Sequence, residues 1–192
     1  MLNELNNLNY FNTISKSIPL LTDQQKFHRV EFTMKYRRQN WNKVIFSDKT
    51  TFQMFQNTQK VFYKAGTQPP HKPIIKHSYK VHIWDAFSAK GLIGFFLFIR
   101  IIDGCFYRKI LIETLFENAN SIMGRCWVFQ QDNNPKYTAK ETKKLLSECC
   151  SRLLDWPSNS PDLNPIENLW AILKGCVEKQ VNKLVLKKNQ LL

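Results

Sequence analysis

Several things are missing from this 192-residue chain, and each absence removes a class of function. No apolar stretch is long enough to cross a bilayer. The longest runs from Leu92 to Ile99 with Gly94 inside it, far short of the roughly 20 residues a spanning helix needs. Nor does the Met1 region offer a basic start followed by an apolar block, so a soluble, non-secreted protein without a membrane partner is expected. Five cysteines are present, but Cys149 and Cys150 are adjacent and none of the set stands in C-x-x-C spacing. A zinc ribbon or disulfide framework is therefore not expected, and a reducing cytosol or nucleus fits. His28, His71, His77 and His82 lack H-E-x-x-H or related ligand spacing and read as ordinary surface or core residues.

Acidic residues are also few. Fifteen Asp and Glu stand against twenty-eight Lys and Arg, leaving a formal charge of +13 and a pI near 9.6. That imbalance favours an anionic partner, nucleic acid first, although excess lysine also keeps surfaces soluble. With 43% hydrophobic residues at this length, one domain with a real core is expected.

Residues 1–21, rich in Asn and without a clear period, read as a poorly ordered lead-in. Over 22–40 the pattern is helical: Thr22 is a plausible N-cap, and Phe27, Val30 and Met34 recur at helical intervals before a basic Lys35, Arg37, Arg38 group. Three stretches of β type follow, VIFS, TFQMFQ and KVFYKA, then a proline-rich loop carrying Pro69, Pro70 and Pro73. KVHIWDAFSA and GLIGFFLFI read as two further strands joined around Lys90 and Gly91, and the short connections predict antiparallel pairing. Tyr107, Ile110, Leu111 and Leu115 mark a helix, CWVFQ a buried strand, KYTAKETKKLLSECC a second helix and RLLDW a short strand. PSNSPDLNP is a rigid loop. The last helix, IENLWAILKGCVEK, has Ile166, Leu169, Trp170, Leu173 and Val177 on one face. Strands first, then alternating helix and strand, give a mixed α/β domain over 41–181, with 182–192 as a short unplaced tail.

Three carboxylates occupy positions where a shared site could form. Asp48 ends the strand VIFS, Asp132 ends WVFQQ, and Glu167 lies in the first turn of the last helix. Magnesium takes oxygen ligands, and two such ions roughly 3.5 to 4 Å apart can clamp the attacking and leaving oxygens of a phosphodiester. Each acid has a local alternative. Asp48 suits a strand-ending turn, and Asp132 before Asn133, Asn134 and Pro135 suits an Asx-turn. Asn164, Pro165 and Glu167 suit a capped helix start. Trp170 reads as core, and Lys136 and Lys140 as phosphate contacts or as a solvated face.

Longer words tip the balance. WNKVIFSD from Trp41 to Asp48, WDAFSAKG from Trp84 to Gly91, WVFQQDNNPKYTAK from Trp127 to Lys140, and DWPSNSPDLNPIENLW from Asp155 to Trp170 resemble the catalytic core of the Tc/mariner DDE transposases, over roughly residues 39–181. Between Asp132 and Glu167 lie 34 residues, the interval this family keeps, whereas Asp162 would leave 29. The resemblance implies a ribonuclease H-like fold, a mixed central sheet flanked by helices. It further implies that Asp48, Asp132 and Glu167 are both the catalytic residues and the metal ligands, holding two Mg²⁺ ions with Mn²⁺ as substitute. The implied reaction is metal-dependent DNA strand cleavage and strand transfer, with double-stranded DNA at transposon ends and target as partner. A nuclear location follows, as does a homodimer or an assembly with full-length transposase.

The chain departs from the family pattern in places. Lys49 stands where Glu is common after the first Asp, Asp85 where Gly is common after Trp84, and Tyr137 where His is usual. Family members also carry paired helix-turn-helix units ahead of the core, and the segment before Thr22 is too short for one, so end recognition is expected to come from elsewhere. The alternative these features leave open is a catalytically decayed or domesticated transposon-derived fragment that binds DNA without cutting it.

Overall fold

The computed structural model describes residues 20–53, 79–149 and 152–189, with side chains through 181. The first element begins where its caps dictate. Thr22 Oγ1 accepts from the Gln25 N–H at 3.3 Å while Gln25 Oε1 accepts from the Thr22 N–H at 3.0 Å, and this reciprocal box starts helix α1 (Asp23–Lys35). The helix is amphipathic in a different sense from the expected one. Phe27, Val30 and Met34 face solvent, and the side chains packed on the domain are Phe32 and Tyr36, with Phe32 edge-on to Trp156 at 5.1 Å. Periodicity found the helix but not its buried side, because two apolar stripes share it and only the tertiary partner chooses between them.

After a short 3₁₀ turn (Trp41–Lys43), strand β1 runs unbroken from Val44 to Gln53. VIFS and TFQ are therefore one strand, and Asp48 lies mid-strand rather than at an end. The polar SDKTT stretch stays extended because its partner holds it: Asp48 pairs with Asp85, Thr50 with Ile83 and Thr51 with His82 of β2 (Lys80–Ser88). Strand β3 (Gly91–Phe98) follows through the turn at Ala89 and Lys90, antiparallel to β2 as expected. The KVFYKA and proline-loop readings and the first nineteen residues lie outside the described residues.

Asp103 caps the next helix by accepting from the Phe106 N–H at 2.7 Å. That helix has three parts: α2 (Gly104–Ile110), a π-helical turn (Leu111–Phe116) and α3 (Glu117–Met123). The wide turn presses on β3 at Gly94, where an added Cβ would lie 3.0 Å from Thr114 Cβ. Strands β4 (Val128–Gln130) and β5 (Arg152–Leu153) flank α4 (Lys140–Cys149), and α5 runs from Ile166 to Asn189, past the expected end of the last helix. Strand order is β3-β2-β1-β4-β5, antiparallel across the first three and parallel from β1 to β5, which is the mixed sheet the sequence predicts. No described helix is long and apolar enough to cross a membrane.

Alternation along the strands separates two faces. Ile45, Trp84, Ala86 and Phe129 point toward α2, the π turn and α3, and join Tyr107, Ile110, Leu111 and Leu115 in the main core. Val44, Phe46, Ile83 and Val128 point the other way, toward α1 and α5. Each such side chain taken wholly out of water stabilises the fold by about 1.5–3 kcal/mol. This second face also carries Asp48.

Candidate functional site

Asp48 projects from the middle of β1 into the space beneath α5. Trp170 closes over it, and the indole Nε1–H donates to Asp48 Oδ2 at 2.9 Å. Burial pushes the carboxyl up to about 6. The charges of Glu167 and Asp132 push the same way, against the Lys49 backbone N–H and the Trp170 N–H, which favour the anion. Both like charges thus act at Asp48, though less than burial does.

Asp132 lies two residues beyond β4, in a loop that the sequence shapes locally. Its Oδ1 accepts from the Asn134 N–H at 3.2 Å, the expected Asx-turn, and Asn134 Oδ1 accepts from the Lys136 N–H at 3.1 Å. Asn133 Nδ2 donates to the Trp156 carbonyl at 2.6 Å and ties this loop to the proline-rich one. Burial raises the Asp132 carboxyl, opposed by the Asn134 N–H and then by the Lys49 charge. Turn residue and site residue are thus the same residue.

Glu167 is delivered, exposed, on the first turn of α5. Asn164 fixes that turn on three sides. Its Oδ1 accepts from the Ile166 N–H at 3.2 Å, and its Nδ2 donates to the Ser47 carbonyl at 3.4 Å and to Gln130 Oε1 at 3.5 Å. The residue read as a helix cap therefore also pins the start of α5 to the strand residue before Asp48. Asp162, the competing acid, is engaged elsewhere: Arg29 of α1 grips it with two bonds, Nη1 to Oδ1 at 2.8 Å and Nη2 to Oδ2 at 2.5 Å. That guanidinium holds the Asp162 carboxyl below its usual range, as expected of a committed ion pair.

The structure thus brings all three sequence-predicted acids to one cleft of about 320 Å³, whose wall also includes Gln130 and the loop from Trp156 to Pro161. Within that loop Asn159 takes a left-handed φ of 51°, a conformation Asn tolerates better than most residues. Among the described residues no three carboxylates, imidazoles or thiols already form a closed ligand cluster. An all-oxygen set of this kind suits a hard divalent cation.

Sequence reading missed Trp170 and Gln130 as parts of the site. Trp170 is core, as expected, and also the donor to Asp48; its place three residues after Glu167, on the same side of the helix, was the available signal. Gln130 is fully buried. Its Oε1 takes the Ser47 N–H at 3.1 Å, while its Nε2 has no partner. Of the three departures from the family pattern, Lys49 pairs with Trp84 on the face opposite Asp48, yet its charge still reaches Asp132. Asp85 is the cross-strand neighbour of Asp48, 5% exposed, with Oδ1 unpartnered and its carboxyl pushed up to about 6 by burial. Tyr137 is buried 4.1 Å from the Tyr107 ring, and burial followed by the Asp132 and Asp48 charges keeps its phenol protonated.

The chain is similar to known proteins over most of its length. A family model described as DDE superfamily endonuclease covers residues 43–188. The Transposable element Tcb2 transposase of Caenorhabditis briggsae is 34% identical over 161 residues, which are 79% of this chain and 59% of that protein. The Transposable element Tc1 transposase of Caenorhabditis elegans is 33% identical over 165 residues, 81% of this chain and 60% of its own length. The chain therefore spans about 60% of the length of these relatives. Among solved structures, a Mos1 transposase paired-end complex with left transposon end superposes with a TM-score of 0.70 at 16% identity, covering 97% of this chain and 61% of that one. The catalytic domain of Mos1 mariner transposase gives 0.61 at 15% identity, covering 90% and 84%. These likenesses establish the expected ribonuclease H-like fold.

Proposed function

The chain belongs to the DDE superfamily of endonucleases, in its Tc/mariner branch, and from that premise we propose that it is a transposase catalytic core that cleaves DNA strands and joins them. The observation that carries this reading is the meeting of Asp48, Asp132 and Glu167 at one cleft in an otherwise strongly basic chain. These three would hold two Mg²⁺ ions, with Mn²⁺ as substitute; solved Mos1 complexes with each metal support divalent use by this fold. Bound there, the ions supply charge compensation for the oxygens exchanged at phosphorus.

The reaction balances without any further cofactor. In cleavage, water adds to a phosphodiester at a transposon end as the phosphorus–O3′ bond breaks, freeing a 3′ hydroxyl. In joining, that hydroxyl forms a new phosphorus–oxygen bond in the target while the target's own 3′ oxygen leaves with the proton. The protein's work is to position and to compensate charge. Trp170 orients Asp48, the Asx-turn orients Asp132, and Asn164 sets the start of the helix that carries Glu167. The net charge of +13 attracts the DNA backbone, so affinity should fall steeply with salt and vary little with sequence.

The direct test is to incubate purified protein with supercoiled plasmid and Mg²⁺ or Mn²⁺ beside Asp132→Ala. Nicking by the parent and its loss in the variant are expected, whereas equal nicking by both proteins would sink the reading. We also propose a nuclear location, where such work on chromosomal DNA would take place.

A further inference from the structure

Three segments deliver the three acids, and one buried amide side chain touches all of them. Gln130 ends β4, two residues before Asp132. Its Oε1 accepts at 3.1 Å from the N–H of Ser47, the residue before Asp48, and at 3.5 Å from Nδ2 of Asn164, three residues before Glu167. Two more bonds close the figure: Ser47 Oγ donates to the Gln130 carbonyl at 2.8 Å, and Asn164 Nδ2 donates to the Ser47 carbonyl at 3.4 Å. Ser47, Gln130 and Asn164 are 2%, 0% and 8% exposed, so water competes little for these bonds.

Main-chain groups fix which way each amide faces. The Ile166 N–H, 3.2 Å from Asn164, requires an oxygen there and turns Nδ2 toward Ser47 and Gln130. The Ser47 N–H likewise requires an oxygen, which leaves Gln130 Nε2 as the atom with no partner among the described residues. A buried donor left unpaired costs stability, and an apolar side chain of similar size would fill the space without that cost. Packing alone therefore gives no reason for an amide at position 130. Bridging three chain segments does.

What the bridge sets is spacing. Carboxylates on three separate segments share an ion only at separations those segments permit, and a side chain that ties them limits how far each can drift. Mg²⁺ demands near-ideal octahedral geometry at roughly 2.0–2.1 Å, whereas Ca²⁺ accepts longer and more varied bonds of about 2.3–2.6 Å. Discrimination between the two ions rests on cavity size and rigidity, so a tie that holds the acids close disfavours the larger ion.

We propose that Gln130, braced by Ser47 and Asn164, is a positioning residue that sets the separation of Asp48, Asp132 and Glu167 and thereby tilts the cleft toward Mg²⁺ and against Ca²⁺. It acts through the acids and not on the ion itself. The inference rests on the metal-binding reading of the three acids given above and adds the residue that makes their site selective.

Competition titration of the full chain without DNA tests it, with bound Mn²⁺ followed by its electron paramagnetic resonance signal and displaced by Mg²⁺ or by Ca²⁺. Gln130→Met keeps an unbranched side chain of similar reach and removes the bridge. It should weaken Mg²⁺ about tenfold while leaving Ca²⁺ within about twofold. Asn164→Ser keeps a helix-capping oxygen but deletes Nδ2, and should shift the same ratio about threefold, so the answer does not depend on one variant folding. A role in structure alone would lower the melting temperature or weaken both ions alike, with the Mg²⁺ to Ca²⁺ ratio unchanged, and an unchanged ratio in both variants overturns the proposal. A parent that binds no divalent ion would instead overturn the metal-binding reading itself, and this inference with it.

Discussion

The two faces of the sheet are built to different rules. On one, Trp84, Tyr107, Ile110, Leu111, Leu115 and Trp127 form a dry cluster in which none is more than 1% exposed. On the other, Asp48, Asp85 and Gln130 sit among Ile83, Ile166 and Trp170. Two of the three buried side-chain atoms without a partner among the described residues, Asp85 Oδ1 and Gln130 Nε2, belong to this second face. Burying a polar atom unpartnered costs on the order of 1–3 kcal/mol. The dry face supplies the stability that lets the cleft face carry its repulsions, which is how a small domain keeps a strained site without unfolding.

The comparison breaks most sharply at Asp48. Asp48→Asn should lower plasmid nicking by roughly 1,000-fold or more while raising the melting temperature of the metal-free protein, because it removes a buried charge from among like charges. A fall in both would mean that Asp48 serves structure instead. On the dry face the signs reverse. Leu111→Ala should cost about 2–5 kcal/mol in denaturant unfolding and leave metal affinity unchanged for the fraction that stays folded. A shift in Mn²⁺ affinity would show that the faces are not independent.

Trp170→Phe sharpens the contrast, since it keeps an aromatic side chain but removes the N–H that holds Asp48 together with part of the indole's bulk. Mn²⁺ binding, followed by titration, should weaken about 10- to 100-fold, with stability lowered by about 1–2 kcal/mol through the smaller buried side chain; unaltered binding would reduce Trp170 to packing. The smallest effect is expected at Asp85. Its folded carboxyl, pushed up to about 6, lies above the unfolded value of about 3.9. The folded state therefore binds the extra proton between those values, and stability should decline as pH rises from about 4 to about 6. Asp85→Asn should remove its share of that decline, leaving the share of Asp48, whose carboxyl is raised alike, and stabilise the protein at pH 7 by on the order of 1–2 kcal/mol. An unchanged stability-against-pH curve would count against it.

What could be read in the chain followed the range of the interaction. The Thr22–Gln25 box, the Asx-turn at Asp132 and the Gly91 hairpin are local, and each was legible in neighbouring residues. The three acids that meet at the cleft could be picked out through long words and a fixed interval, and Asp162 is engaged by Arg29 instead of lining that cleft. Long-range choices were not legible. Which stripe of α1 is buried depends on Trp156, and whether β1 continues past Asp48 depends on β2. Trp170 looked apolar because an indole on a helix face shows its bulk in sequence and its donor only in space.

The π-helical turn at Leu111–Phe116 leaves a last consequence. Such a turn is wound to more residues than its neighbours, so it sets the angular phase of everything after it. Deleting one residue there would restore ordinary winding and leave Ala119 and the rest of α3 still facing the sheet, because the wide turn takes up one residue more than an ordinary turn. The change would stay local, at the seat of Thr114 against Gly94. A one-residue deletion should therefore be better tolerated between positions 111 and 116 than elsewhere in α2 or α3, where it would turn every later side chain by about 100°.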